Sequence, residues 1–125
     1  NGDGELGDGT TSSSLKPVLA AGLGKKVKAI AYGDIHGCAV NTAGVVKCWG
    51  YNGHGALGHN TTTSSSTPMV VYTMGKKIKA IAAGVFHSCA VTTKGAIQCW
   101  GFNAYGQLGD NTTTTSHKPV GVIGT

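Results

Sequence analysis

The chain is 125 residues long, with 21 glycines, 40% hydrophobic residues and few aromatics, and its formal charge of +5 comes entirely from lysine because it has no arginine. No apolar run approaches the ~20 residues of a membrane span, and without arginine the bidentate contacts typical of sequence-specific nucleic-acid recognition are missing. A basic balance leaves another protein or an anionic surface open as partners.

Residues 1–14 read as a polar linker. Four short strand candidates follow at 17–21, 26–32, 36–42 and 45–50, rich in Val, Ile and Ala and parted by turns at Gly22-Leu23-Gly24, Gly33-Asp34 and Ala43-Gly44. After a long polar connection, 51–67, the series returns at 68–72, 77–83, 87–93 and 96–101. A second connection, 102–118, leads to a trailing strand at 119–123. No stretch carries sustained helical spacing, so the chain reads as all-β.

The recurrence is regular. Ile35-His36-Gly37-Cys38-Ala39-Val40 returns 51 positions later as Phe86-His87-Ser88-Cys89-Ala90-Val91, and Cys48-Trp49-Gly50-Tyr51-Asn52 as Cys99-Trp100-Gly101-Phe102-Asn103. Asn1, Leu6 and Gly7 stand one period before Asn52, Leu57 and Gly58. Such a period marks units that bury their apolar faces only against neighbours. Four antiparallel strands per unit with a long link describe a β-propeller blade. The expected division is a linker from a preceding repeat (1–14), a first blade with its connection (15–66), a second (67–118) and the first strand of an incomplete third blade (119–125). Two blades cannot close a ring, which needs about four to eight.

The runs Ala83-Gly84-x-x-His87-Ser88-Cys89-Ala90-Val91-x-x-x-Gly95 and Cys99-Trp100-Gly101-x-Asn103-x-x-Gly106-Gln107-Leu108-Gly109-Asp110 resemble the regulator of chromosome condensation repeat, and recur at 32–44 and 48–59. The resemblance implies a propeller, seven-bladed as a rule in that family. It also implies that His36 and His87 are structural residues bonded to turn backbone. The family's founding activity, nucleotide exchange on a small GTPase, depends on particular loops, and none of those residues can be carried over. The cysteine pairs depart from the eukaryotic pattern and suggest an exported, bacterial-type version.

Cys38 and Cys48 flank one hairpin, Cys89 and Cys99 the other. A three-residue turn at Thr93-Lys94-Gly95 would pair Val91 with Ile97 and set Cys89 opposite Cys99. Directly opposed positions bring Cβ atoms within about 4.5–5.5 Å, near disulfide geometry. Two equivalent disulfides would place the protein in an oxidising compartment, outside the cell or on its surface. Inert buried thiols, or zinc held by each His-x-Cys with the second cysteine, are the competing readings.

Trp49 and Trp100, one per blade, read as packing between blades. Tyr51, Phe102 and Tyr105 lie closer to the loops and are the candidates for surface contacts. The lysine clusters at 25–28 and 76–79 read as charges that keep strand edges from pairing. The glycine-rich stretches 55–58 and 106–109 lack the Lys-Ser/Thr of a phosphate loop. Residues 1–5 occupy a repeat slot whose other copies lack carboxylates, which argues for a turn and against calcium.

Asn60-Thr61-Thr62 and Asn111-Thr112-Thr113 are acceptor sequons, so Asn60 and Asn111 are candidates for N-linked sugar and Thr61 and Thr112 for O-linked sugar in an exported protein. Ser88, His87 and Asp34 could be drawn as a triad, but nothing in their spacing favours one. The expectation is therefore a non-enzymatic extracellular scaffold without cofactor or metal. Its blades would join copies of itself, or further blades of the same protein, head to tail in a ring or filament. A segment of a closed protein-binding propeller is the alternative, and GTPase exchange comes third.

Overall fold

A computed structural model describes residues 1–24, 26–72, 74 and 77–125. Lys25 and Lys76 of the basic clusters lie outside the described residues, as does the turn expected at 73–75 apart from Met74. The described residues contain eight strands in two sheets. Strands β1 (Val27–Tyr32), β2 (His36–Asn41), β3 (Val46–Gly50) and β4 (Ser65–Val70) form the first sheet. Strands β5 (Ile78–Ala83), β6 (His87–Thr92), β7 (Ile97–Gly101) and β8 (Ser116–Gly121) form the second. Each sheet is a simple antiparallel meander in chain order.

The β2–β3 and β6–β7 hairpins follow from their turns. Gly95, at φ 88°, closes a three-residue loop in which Gly95 N–H donates to Thr92 O (2.9 Å) and Thr92 N–H to Ala96 O (2.9 Å). Only glycine takes that left-handed position at low cost. Val91 then pairs with Ile97 and Cys89 with Cys99, while Cys38 pairs with Cys48 in the first hairpin. Both cysteine pairs are disulfides, each with Cα atoms 4.1 Å apart.

The blades are phased differently from the sequence-based division. No strand forms at 17–21. The strand expected to open the second blade belongs to β4, the last strand of the first blade, where Lys47 pairs with Val70 and Cys48 with Met69. Likewise the trailing segment belongs to β8 and completes the second blade; it does not open a third. A periodic pattern does not reveal on which side of a loop a strand pairs. Here the chain leaves β3, makes a long excursion and returns, with Val71 N–H donating to Val46 O (3.0 Å). Pro68 and Pro119 suit the outer edge of a sheet, where an N–H need not be offered to a neighbour.

The core lies between the sheets. Cys38, Val40, Val46 and Cys48 of the first blade meet Ile78, Ala90 and Trp100 of the second, with Leu57, Val71 and Met74 from the connecting segment filling the space. The innermost strands β1 and β5 lie side by side, and β5 also packs on β2. Lys28 Nζ reaches across to Ile78 O (2.8 Å). A propeller places neighbouring blades in this way.

Candidate interaction surfaces

The excursion between β3 and β4 leaves its own blade and clasps the next one. Its tip is anchored by Asn52, which is fully buried, accepts from Leu57 N–H (2.9 Å) and donates through Nδ2 to Thr61 O (2.9 Å) and Thr63 O (3.0 Å). Asn103 repeats this arrangement in the second blade with Leu108, Thr112 and Thr114. The hydroxyl-rich tracts therefore serve in part to hold these loops in shape.

At the clasp's centre the carbonyl of Ala56 accepts two hydrogen bonds from the second blade, from Trp100 Nε1 (2.8 Å) and Ser88 Oγ (2.9 Å). Gly58 passes so close to the indole that a Cβ would lie 2.6 Å from Nε1. The N-terminal segment 1–24 does the same to the first blade, as a strap. Glu5 O accepts from Trp49 Nε1 (2.8 Å) and Tyr32 Oη (3.0 Å), and a Cβ on Gly7 would lie 2.7 Å from Trp49 Nε1. The second donor differs between the blades. Where the second blade has Ser88 and Ala83, the first has Gly37 and Tyr32, and the tyrosine ring occupies the space above Gly37. Two side-chain solutions thus satisfy one carbonyl slot.

Beside the clasp, His36 Nε2 lies 2.8 Å from Ser88 Oγ. The serine proton goes to Ala56 O, so His36 donates from Nε2 and holds the neutral tautomer. Burial pushes its pKa down to about 4, with the neighbouring His87 adding to the shift. His87 is also lowered, by burial. Asp34 makes no contact with Ser88 or His87 that would build a triad. With all four cysteines in disulfides, no thiolate remains for zinc, and no metal-holding group of His, Cys, Asp or Glu occurs among the described residues.

Tyr51, Phe102 and Tyr105 share one aromatic cluster with two residues that the sequence reading missed, His54 and Phe86. His54 sits between Phe86 (ring centroids 4.7 Å apart) and Phe102 (5.0 Å), Tyr51 lies 6.2 Å from Phe86, and Tyr105 lies 6.0 Å from Phe102. A signal was available, since His54 and Tyr105 are one period apart, as are Tyr51 and Phe102. His54 belongs to the clasp of the first blade, so the cluster joins the blades on one face. Tyr105 projects from it, 87% exposed.

The sequons occupy matching bends. Asn60 and Asn111 are exposed and both adopt φ 65°. Thr61 Oγ1 bonds His59 Nε2 (2.7 Å), whereas Thr112 Oγ1 donates to Asp110 (2.7 Å), whose pKa that bond lowers.

The two end faces carry period-mates of the internal interface. Cys38, Val40 and Val46 are at most 2% exposed, but Cys89, Val91 and Ile97 on the far face of the second blade are partly open. On the near face of the first blade Ile30 is 63% exposed, whereas its mate Ile81 packs against the core.

Fold and interfaces together define two β-propeller blades packed on one another. Models of the regulator of chromosome condensation (RCC1) repeat match residues 27–56 and 78–107, and residues 44–91 and 94–125. The chain belongs to the RCC1 repeat family. It is 39% identical over 124 residues to the ultraviolet-B receptor UVR8 of Arabidopsis thaliana, an alignment covering 98% of this chain and 28% of the receptor. It is 35% identical over 128 residues to the human E3 ubiquitin-protein ligase HERC2, covering 98% of this chain and 3% of the ligase. Among solved structures it resembles human WBSCR16, with TM-score 0.79 and 26% identity over 95% of this chain and 32% of that one. Yeast RCC1, solved in complex with Kap60, shares the fold at TM-score 0.71 and 22% identity, over 79% of this chain and 25% of that one.

Proposed function

We propose that this chain is a non-enzymatic, protein-binding scaffold segment that works outside the cell or on its surface, its end faces continued by further RCC1-type blades. The observation that carries the reading is the contrast between period-mates: Val40 is fully buried by the next blade, while Val91 stands partly open at the equivalent place. An apolar sheet face of this kind gains stability by being covered. The two disulfides support an oxidising compartment.

Further blades can come from other copies of the chain, joined head to tail. Sedimentation measured across a wide concentration range tests this. The expected result is a mass that grows with concentration beyond a dimer. A folded chain that stays monomeric throughout would remove assembly between copies.

A second reading has its own support. The chain spans 28% of the receptor and 25–32% of the two solved propellers, roughly the share two blades hold in a ring near the upper end of the usual size range. In that reading the same two faces are joined within one closed ring, and its loop face binds the partner protein.

A further inference from the structure

The N-terminal strap and the outward clasp of the second blade are the same piece of the repeat, two periods apart. Asn1, Leu6 and Gly7 correspond to Asn103, Leu108 and Gly109. A blade joining the open face of the second blade, through the contacts that already join the two blades, must offer an indole N–H to Gln107 O as Trp100 does to Ala56 O. In a second copy that indole is Trp49, and its own Glu5 O already holds it at 2.8 Å. Two segments compete for one seat.

We propose that the strap, residues 1–24, is a displaceable plug that controls head-to-tail association with a second copy of this chain. The inference rests on the assembly reading above and names its regulation. The first copy's clasp, residues 103–113, displaces the second copy's strap from Trp49 as the blades dock.

The occupant is argued from the interface the chain makes with itself. Exchange of strap for clasp is nearly even in hydrogen bonds, because each presents a carbonyl to Trp49 Nε1 and Tyr32 Oη. Docking then adds what the strap cannot supply. Val91 and Ile97 would cover Ile30, now 63% exposed, as Val40 and Val46 pack in the core that Ile81 lines. Tyr105 would reach Ile35, the mate of Phe86, as His54 reaches Phe86. The strap is also the less fully packed segment. Leu6 is only half-buried, whereas its period-mates Leu57 and Leu108 are fully buried, Leu108 even with no blade seated on its clasp, and Leu15 and Leu19 of the strap are 109% and 91% exposed. Beyond the Trp49 seat the strap is held by Gly9 N–H to Ser66 O (2.9 Å) and by Lys47 Nζ to Gly22 O (2.7 Å).

The test applies one substitution at two period-mates in the full chain. Gly7→Ala places a methyl against Trp49 and loosens the strap. Gly109→Ala leaves the strap alone and puts the same methyl on the incoming clasp; both glycines hold a left-handed φ, 71° and 64°, so that backbone strain is common to the two variants, and within its own chain the new methyl has the Val122 side chain as nearest neighbour, at 3.1 Å. Sedimentation velocity and light-scattering growth curves should move in opposite directions. Gly7→Ala should lower the concentration for half-assembly at least tenfold and speed its onset, and Gly109→Ala should raise it by a similar factor.

Circular dichroism and intact-disulfide mass confirm that each variant is folded. If both variants assemble like the parent, or Gly7→Ala assembles less readily, the strap is no plug, although assembly itself stands. If parent and both variants stay folded and monomeric, the assembly reading falls instead. Should Gly7→Ala fail to fold, Lys47→Met removes the bond to Gly22 O, a strap contact that the clasp residues 103–113 do not replace, and must shift assembly the same way; an unshifted midpoint would overturn the inference.

Discussion

His36 is a buried ionisable group at the seam between two blades, hydrogen-bonded through Nε2 to Ser88. Its pKa is held at about 4, below the ordinary 6.5, so the unfolded chain takes up a proton before the folded one does. The stability this neutral histidine supports is therefore complete above about pH 6.5, falls as pH drops towards 4, and levels off below that. A shift of this size corresponds to at most about 3 kcal/mol. His87 is lowered too and adds in the same direction. Urea unfolding between pH 7.5 and 3.5 should show the decline, and His36→Gln, whose amide can still donate to Ser88, should flatten most of it. An unchanged slope in that variant would assign the effect elsewhere. Residues of this kind were only partly legible in the sequence. Tyr51, Phe102 and Tyr105 stood out as aromatics next to loops, but His54 and Phe86 join them only because a clasp from one blade lands on the other. Tyr32 standing in for Ser88 could not be read at all, because the two donors come from different repeat slots.

Hairpins were the legible elements and outer strands were not. A local cause, the three-residue turn with its left-handed glycine, sets the register that opposes Cys38 to Cys48 and Cys89 to Cys99. The fourth strand depends on a distant one, since β4 reaches β3 only after the clasp loop has visited the neighbouring blade. That long-range choice leaves no mark in a strictly periodic sequence, which is why the blades were divided in the wrong phase. The two disulfides, equal in sequence, are unequal in setting. Cys38 and Cys48 are fully buried between blades, while Cys89 is partly open on the end face and Cys99 is 3% exposed. Thiol exchange needs access to the sulfur. Mild dithiothreitol followed by alkylation and peptide mass analysis should label Cys89 and Cys99 well ahead of Cys38 and Cys48 in the monomer, by about tenfold or more in rate. If copies join as proposed, the difference should shrink in the assembled material, because the next blade would then cover that face. Losing either ten-residue loop closure should cost roughly 2–3 kcal/mol.

At the scale of the molecule, two blades share one internal interface, and each is stabilised mainly by the other. In such quasi-one-dimensional proteins, stability is approximately a sum of unit and nearest-neighbour terms. Position within the array, more than residue type, then decides what a substitution does. Val40 and Val91 are period-mates of the same type; Val40 is fully buried at the seam and Val91 partly open at the end. Val40→Asp places an unpaired carboxylate in the core and should cost at least about 4 kcal/mol, enough to unfold a marginal domain. Val91→Asp should cost under about 1 kcal/mol in the monomer, because its carboxylate stays in contact with water. The same Val91→Asp chain should fail to assemble at any concentration at which the parent does, since docking would bury that charge. Denaturant curves on dilute protein, paired with sedimentation on concentrated protein, measure the two effects separately. Equal destabilisation by both variants would mean that the end face is already covered within the monomer, and stacking through it would then have no free surface to use.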